Sequence, residues 1–191
     1  MIAEQDRSGW FGASDTAYIM GNWATKTFQR WWLQKLGIDS SHYASRAMNA
    51  GTYYEHAILE HIGAERQDHQ ITIPRLLLRV NLDGDAVGKI HEIKTHRADK
   101  RFRVTKAYWQ QVQVQIFAKM TEEQVIPAAE IVSYGLTEHD YRNFFNPIDP
   151  ERVEHHPVAF DPRFIEGYLP RLRYLGECLQ EGGFPRDGID L

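Results

Sequence analysis

The sequence predicts an α/β fold: a sheet of about five strands, flanked by helices, with helical additions at the N-terminus. Three observations predict it. Helical and strand periodicities alternate along the chain: short helices, one long helix, three β-rich runs, a helix, two more β-rich runs and a last helix. A length of 191 residues with 42% hydrophobic content is enough for one compact unit with a sizeable core. The chain has neither a Gly-rich phosphate loop nor a nucleophile elbow, which sets aside nucleotide-hydrolysing and serine-hydrolase α/β folds.

In chain order, residues 1–9 read as an arm. Ser14 or Asp15 caps a short helix through TAYIM, which Gly21 and Asn22 stop. Thr25 or Thr27 opens a second helix, FQRWWLQKLG, whose Phe28, Trp31 and Trp32 recur at helical spacing; Gly37 ends it, and the tryptophan pair reads as core, with a base-stacking platform as the minority alternative. A long helix is expected from about Ser45 to Arg66, with Ala50, Tyr54, Ala57, Ile58 and Ile62 in one stripe and Glu55 beside it. Gly51 in that stripe permits close approach of another backbone. Strands follow at about 69–74, 76–82 and 88–95.

A helix from about Thr105 to Met120 comes next; Val112 and Val114 weaken it and leave a strand as the alternative. Strands at about 129–136 and 152–160 enclose a stretch read as loop, EHDYRNFFNPIDPE. Asp161 caps the last helix, with Pro170 inside it and Gly182-Gly183 at its end. His155 and His156 are neighbours on a strand, so they face opposite sides and read as structural or surface residues.

The net charge of −4 and pI near 6.1 do not advertise nucleic-acid binding, although a basic channel can coexist with overall acidity. No apolar run is long enough to span a bilayer, and the N-terminus does not read as a signal peptide. The single cysteine, Cys178, excludes an internal disulfide and reads as a small core residue. A cytosolic location is the simplest expectation.

The chemistry concentrates in NLDGDAVGKIHEIKTH, residues 81–96. Two runs flank Asp83-Gly84-Asp85, read as a tight turn, so Asp83 and Glu92 converge across a hairpin. Residues i and i+2 share a strand face, so Glu92 and Lys94 point together while Ile93 points into the core. Carboxylates hold hard divalent cations, and a lysine beside them offsets charge developing on a phosphate. The bland alternative is a wet hairpin face carrying a common Glu/Lys pair.

Three elements together go further. They are Gly51-x-x-x-Glu55, the hairpin with Asp83 and Glu92-Ile93-Lys94, and Tyr108-x-x-Gln111-x-Gln113. This set resembles the PD-(D/E)XK nuclease superfamily, and within it the lambda-exonuclease or YqaJ-type phage recombination nucleases. Arg7-x-Gly9-x-x-x-Ala13-Ser14 resembles that family's N-terminal motif. The resemblance runs from Arg7 to about Ala118. It implies a restriction-endonuclease-like core with a central mixed β-sheet, and one nuclease domain over 1–191, with the arm and helices in 1–44, the catalytic core in 45–136 and a C-terminal strand and helix in 137–191. Asp83, Glu92, the Ile93 carbonyl and Glu55 would hold one or two Mg2+ ions, with Mn2+ able to substitute. Lys94 and Gln111 would complete the catalytic set.

For DNA, the resemblance implies that Arg7 and Ser14 bind a terminal phosphate and that Gln113 contributes. Arg97, Arg101 and Arg103 belong to a basic cluster that suits backbone contacts, with a merely solvated basic loop as the equal alternative. Asp85 is a rival to Asp83, but the resemblance assigns it to the turn. The implied activity is 5′-to-3′ digestion of linear double-stranded DNA ends for phage-type recombination. The implied partners are a single-strand-annealing recombinase and further copies in a trimeric ring, in a bacterial cytoplasm, from a phage or prophage. A structure-specific or nicking endonuclease, or an inactive DNA-binding module, are the alternatives.

Overall fold

The computed structural model describes residues 8–39 and 46–186, with 46–49 described for backbone alone. Arg7, most of the N-terminal arm, the expected helix start at Ser45 and the tail from 187 lie outside the described residues. The helices are α1 (Thr16–Ile19), α2 (Lys26–Lys35), α3 (Arg46–His61), α4 (Lys106–Glu123), α5 (Glu138–Arg142) and α6 (Pro162–Gln180). The strands are β1 (Arg66–Ile73), β2 (Leu78–Ala86), β3 (Lys89–Arg97), β4 (Ala128–Leu136) and β5 (Val153–Pro157).

They form one α/β sheet in the order β1-β2-β3-β4-β5. Strands β3 and β4 are parallel and the other neighbours antiparallel, so the sheet is mixed. A parallel pair needs a crossover, and α4 supplies it. Thr105 caps α4 by accepting the Tyr108 N–H at 3.2 Å, and Thr25 caps α2 by accepting the Phe28 N–H at 3.1 Å. The β-branched Val112 and Val114 disfavour a helix locally, but α4 is buried around most of its circumference and packing decides. One core lies on the α4 side, where Leu78, Val80, Leu82, Ile90, Val112, Ile116, Trp32 and Leu172 are fully buried. A second lies on the α3 side, with Tyr54, Ile58, Leu59, Ile93, Val132 and Tyr134. Each fully buried aliphatic side chain contributes about 1.5–3 kcal/mol, so both faces of the central strands are fixed. Ile93 is in the core as expected, and Cys178 and both tryptophans are buried.

Four expectations need correction. The hairpin turn is Val87-Gly88, with Gly88 at φ +71°, and not Asp83-Gly84-Asp85. Asp85 sits inside β2 opposite Ile90. Helix α3 stops at His61, with Gly63 at φ +72° just after it, so Arg66 begins β1 instead of ending a helix. The stretch read as loop holds α5, where Thr137 and Asp140 form a reciprocal capping box.

One topological feature positions the site. The ladder between β2 and β3 covers Gly84–His91, Asp85–Ile90 and Ala86–Lys89 and then stops. Strand β2 stays paired to β1 down to Leu78, and β3 stays paired to β4 out to Arg97. The two strands therefore part in mid-sheet. The segment at Phe11 lies along the freed side of β2: its N–H donates to the Leu77 carbonyl at 2.7 Å and its carbonyl accepts from the Arg79 N–H at 2.8 Å.

Candidate active site

A cleft of about 380 Å3 opens where the strands part. Glu55, Asp83, Glu92, Lys94 and Gln111 line it, together with Gly12, Ser14, Asp15, Lys35 and Arg79. Helix α3 delivers Glu55 by crossing closely over β3: a Cβ on Gly51 would lie 3.1 Å from the Thr95 hydroxyl. Strand β2 delivers Asp83, whose carboxylate accepts the Ile93 backbone N–H at 2.8 Å.

Glu92 is the centre. It is 1% exposed, and both its oxygens are held. Gln111 donates to Oε1 at 2.6 Å, and Lys94 donates to the same oxygen. Gln115 donates to Oε2 at 2.5 Å. The Lys94 ammonium also lies 5.2 Å from the Tyr108 ring centroid, a cation–π distance.

The electrostatics favour an added cation. Burial raises the Asp83 carboxyl well above the ordinary carboxylate range, and the charges of Glu92 and Glu55 raise it further. Burial and the Glu92 charge raise Glu55 in the same direction. Burial alone would lower the Lys94 ammonium, but Glu92 and Asp83 outweigh it and hold the lysine more firmly charged. Three carboxylates thus converge on a single ammonium. Hard oxygen donors with a deficit of positive charge fit a divalent cation. Glu55, Asp83 and Glu92, with the Ile93 carbonyl, are the residues that would hold it. Glu55 also belongs to a second group: one ligand atom each from Glu55, His56 and Asp68 lie within 4.8 Å of one another.

Other expected site residues lie elsewhere. Gln113 is fully buried: its amide donates to the Ala159 carbonyl at 2.8 Å and accepts from the Asp161 N–H at 2.7 Å. It ties α4 to the start of α6, a correction to its placement at DNA. Arg97 is engaged by Asp99 through two bonds of 3.0 Å. Arg101 and Arg103 are exposed on the loop before α4, where Phe102 stacks on Tyr108 at 6.1 Å. Ser14 is exposed at the rim of the cleft, and Arg7 is outside the described residues.

Sequence reasoning missed Gln115, Lys35, Arg79 and Asp68. Gln115 had a signal, since it lies i+4 from Gln111 and so on the same helix face. Asp68 had none: it sits in a strand at φ +56°. Asp85 is consumed by structure, being fully buried against Lys119 at 2.5 Å and Arg66 at 2.6 Å.

Fold and cleft together define an α/β protein with a five-stranded mixed sheet between helices and an acidic cleft where two of its strands part. Solved exonucleases share this fold. The alkaline exonuclease LHK-Exo from Laribacter hongkongensis superposes with a TM-score of 0.67 over 92% of this chain and 90% of its own, at 18% identity. The same enzyme in complex with dAMP gives 0.66. A phage-related exonuclease from Haemophilus somnus 129PT gives 0.60 over 90% of this chain and 96% of its own, at 13% identity. No protein-family profile and no curated protein matches the sequence. Among the described residues, no helix is long and apolar enough to cross a membrane.

Proposed function

We propose that this chain is a metal-dependent deoxyribonuclease that digests linear double-stranded DNA from its ends. The observation that carries the reading is the convergence of Glu55, Asp83, Glu92 and Lys94 in the gap between β2 and β3. The likeness in fold to exonucleases, one of them solved with a deoxynucleoside monophosphate, supports it. A bound Mg2+ or Mn2+ would supply Lewis-acid stabilisation of charge on the phosphate. The protein's own groups do the rest. Gln111 and Gln115 fix the direction of the Glu92 carboxylate. The Ile93 N–H fixes Asp83. Lys94 keeps its proton and offsets charge building on the phosphate oxygens. Arg101 and Arg103 would meet the DNA backbone beside the cleft, and Ser14 a terminal phosphate.

The resemblance of the motifs further suggests 5′-to-3′ polarity, one or two ions per site, a ring-shaped trimer, an annealing recombinase as partner and a phage or prophage origin within a bacterial cytoplasm. The test uses purified protein, Mg2+ and linear duplex, against Asp83→Ala and Lys94→Ala. The parent should release nucleotides and both variants should be slower by about a hundredfold or more; equal digestion by all three would refute the assignment. Covalently closed circles should survive, and their cutting would favour an endonuclease.

A further inference from the structure

The cleft does not end at Ser14. A second hollow of about 300 Å3 shares Ser14, Asp15 and Lys35 with it, and a third of about 280 Å3 shares Tyr18, Trp31 and Gln34 with the second. Helix α2 forms the floor of both. Its contributions are Lys26 and Thr27, Arg30 and Trp31, then Gln34 and Lys35. Those pairs recur once per helical turn, so they form one face. From Lys26 to Lys35 that face runs roughly 14 Å, the rise of about four stacked nucleotides.

The lining has the chemistry of a nucleic-acid strand's path. Tyr18 stacks on Trp31 at 4.9 Å and 8°, and Tyr18 is half-exposed, which makes an aromatic platform in the second and third hollows. Base–aromatic stacking tolerates any sequence. Lys26 and Arg30 are exposed, and neither has an ion-pair partner among the described residues. Asp15 is the one carboxylate among the residues lining these two hollows. It is neutralised by Lys35 at 2.5 Å and bound by the Trp31 indole N–H at 2.8 Å. The row of hollows therefore carries net positive charge, leads away from the acidic cleft, and is continuous with it.

We propose that this groove along α2 binds a single-stranded extension of the DNA end, so that the enzyme seats the strand that projects beyond the paired end lodged in the cleft. The proposal rests on the nuclease reading. It is tested with full-length protein and three duplexes: flush-ended, with a 5′ extension of about four nucleotides, and with a 3′ extension of the same length. Binding is read by fluorescence anisotropy in an Asp83→Asn background, and digestion in the parent. One extended end should bind about tenfold tighter than the flush end. Lys26→Glu with Arg30→Glu, both at exposed positions, should collapse that ratio to about one. A parent that digests flush ends but shows no preference for either extension overturns the groove alone, as does a double variant that keeps the preference. A parent that digests none of the three overturns the nuclease reading and the groove with it.

Discussion

Asp83 accepts the backbone N–H of Ile93 at 2.8 Å, across the gap where β2 and β3 have stopped pairing. A donor that an unbroken ladder would give to a carbonyl goes instead to a carboxylate, which pins that carboxylate in the cleft. Its pKa is raised by burial and by Glu92 and Glu55. In the unfolded chain an aspartate titrates near its ordinary value of about 3.9. Above that pH the metal-free folded protein keeps a proton that the unfolded chain has released. Its stability therefore falls as pH rises through the folded pKa of Asp83. The amide oxygen introduced by Asp83→Asn would accept the same N–H without the charge. Thermal melts in EDTA across a pH series should show the parent losing Tm relative to Asp83→Asn as pH rises. Adding Mn2+ should restore the parent and leave the variant unmoved. A parent-minus-variant difference that is flat with pH would count against this electrostatic account.

Gln115 predicts a different separation. It and Gln113 are both fully buried glutamines of α4, but they face different tasks. Gln115 holds Glu92 Oε2 at 2.5 Å, and Gln113 ties the helix to Ala159 and Asp161. Groups that orient a metal-holding carboxylate typically matter 10–100-fold. Gln115→Met should lower digestion by about that factor and raise the Mn2+ concentration needed for half-maximal thermal stabilisation. Gln113→Met should lower Tm and leave the Mn2+ midpoint in place. If the two variants behave alike, the direction of the Glu92 carboxylate is not what Gln115 controls.

Much of this site was legible in the sequence because its residues obey local periodicity. Glu92 and Lys94 share a strand face while Ile93 enters the core on the other. Thr105 and the helical spacing after it located α4. The parting of β2 and β3 was not legible, since it depends on which strand pairs where and on no local pattern. Asp83-Gly84-Asp85 shows why. Its composition reads as a turn, but Gly84 is wanted for packing: a Cβ there would lie 2.2 Å from Leu59 Cδ2 on α3. The turn went to Val87-Gly88 instead. Lys35 and Asp15 were hidden for a related reason, because their pairing joins the end of α2 to the residue before α1 and no local periodicity marks it.

Asp85 and Lys119 test the choice between the two aspartates of β2. Both are fully buried and sit 2.5 Å apart, with Arg66 and His69 also on the same Asp85 oxygen. Removing one partner of a buried pair costs about 3–5 kcal/mol because the other is left uncompensated. Arg66 and His69 soften that loss at Asp85, so Lys119→Met should fall at or below the low end. Chemical denaturation measures it. Digestion per folded molecule should survive Asp85→Asn and vanish in Asp83→Asn. The reverse result would mean that the metal-holding role belongs to Asp85.

Lys94 carries the sharpest mechanistic prediction. Burial works to lower its pKa, but Glu92 and Asp83 raise it more, so it stays an ammonium through the neutral range and beyond. Any loss of activity on the alkaline side near neutrality must then come from another group. Lys94→Met should reduce digestion by about 10²–10³, the usual effect of deleting a group aimed at developing charge. It should also lower the Tm of the metal-free protein, because the ammonium at Glu92 is gone and three carboxylates face one another. Added Mn2+ should rescue that stability but not the rate. Stability and rate recovering together would mean that Lys94 serves only to balance charge in the empty cleft, and that the chemistry needs no ammonium there.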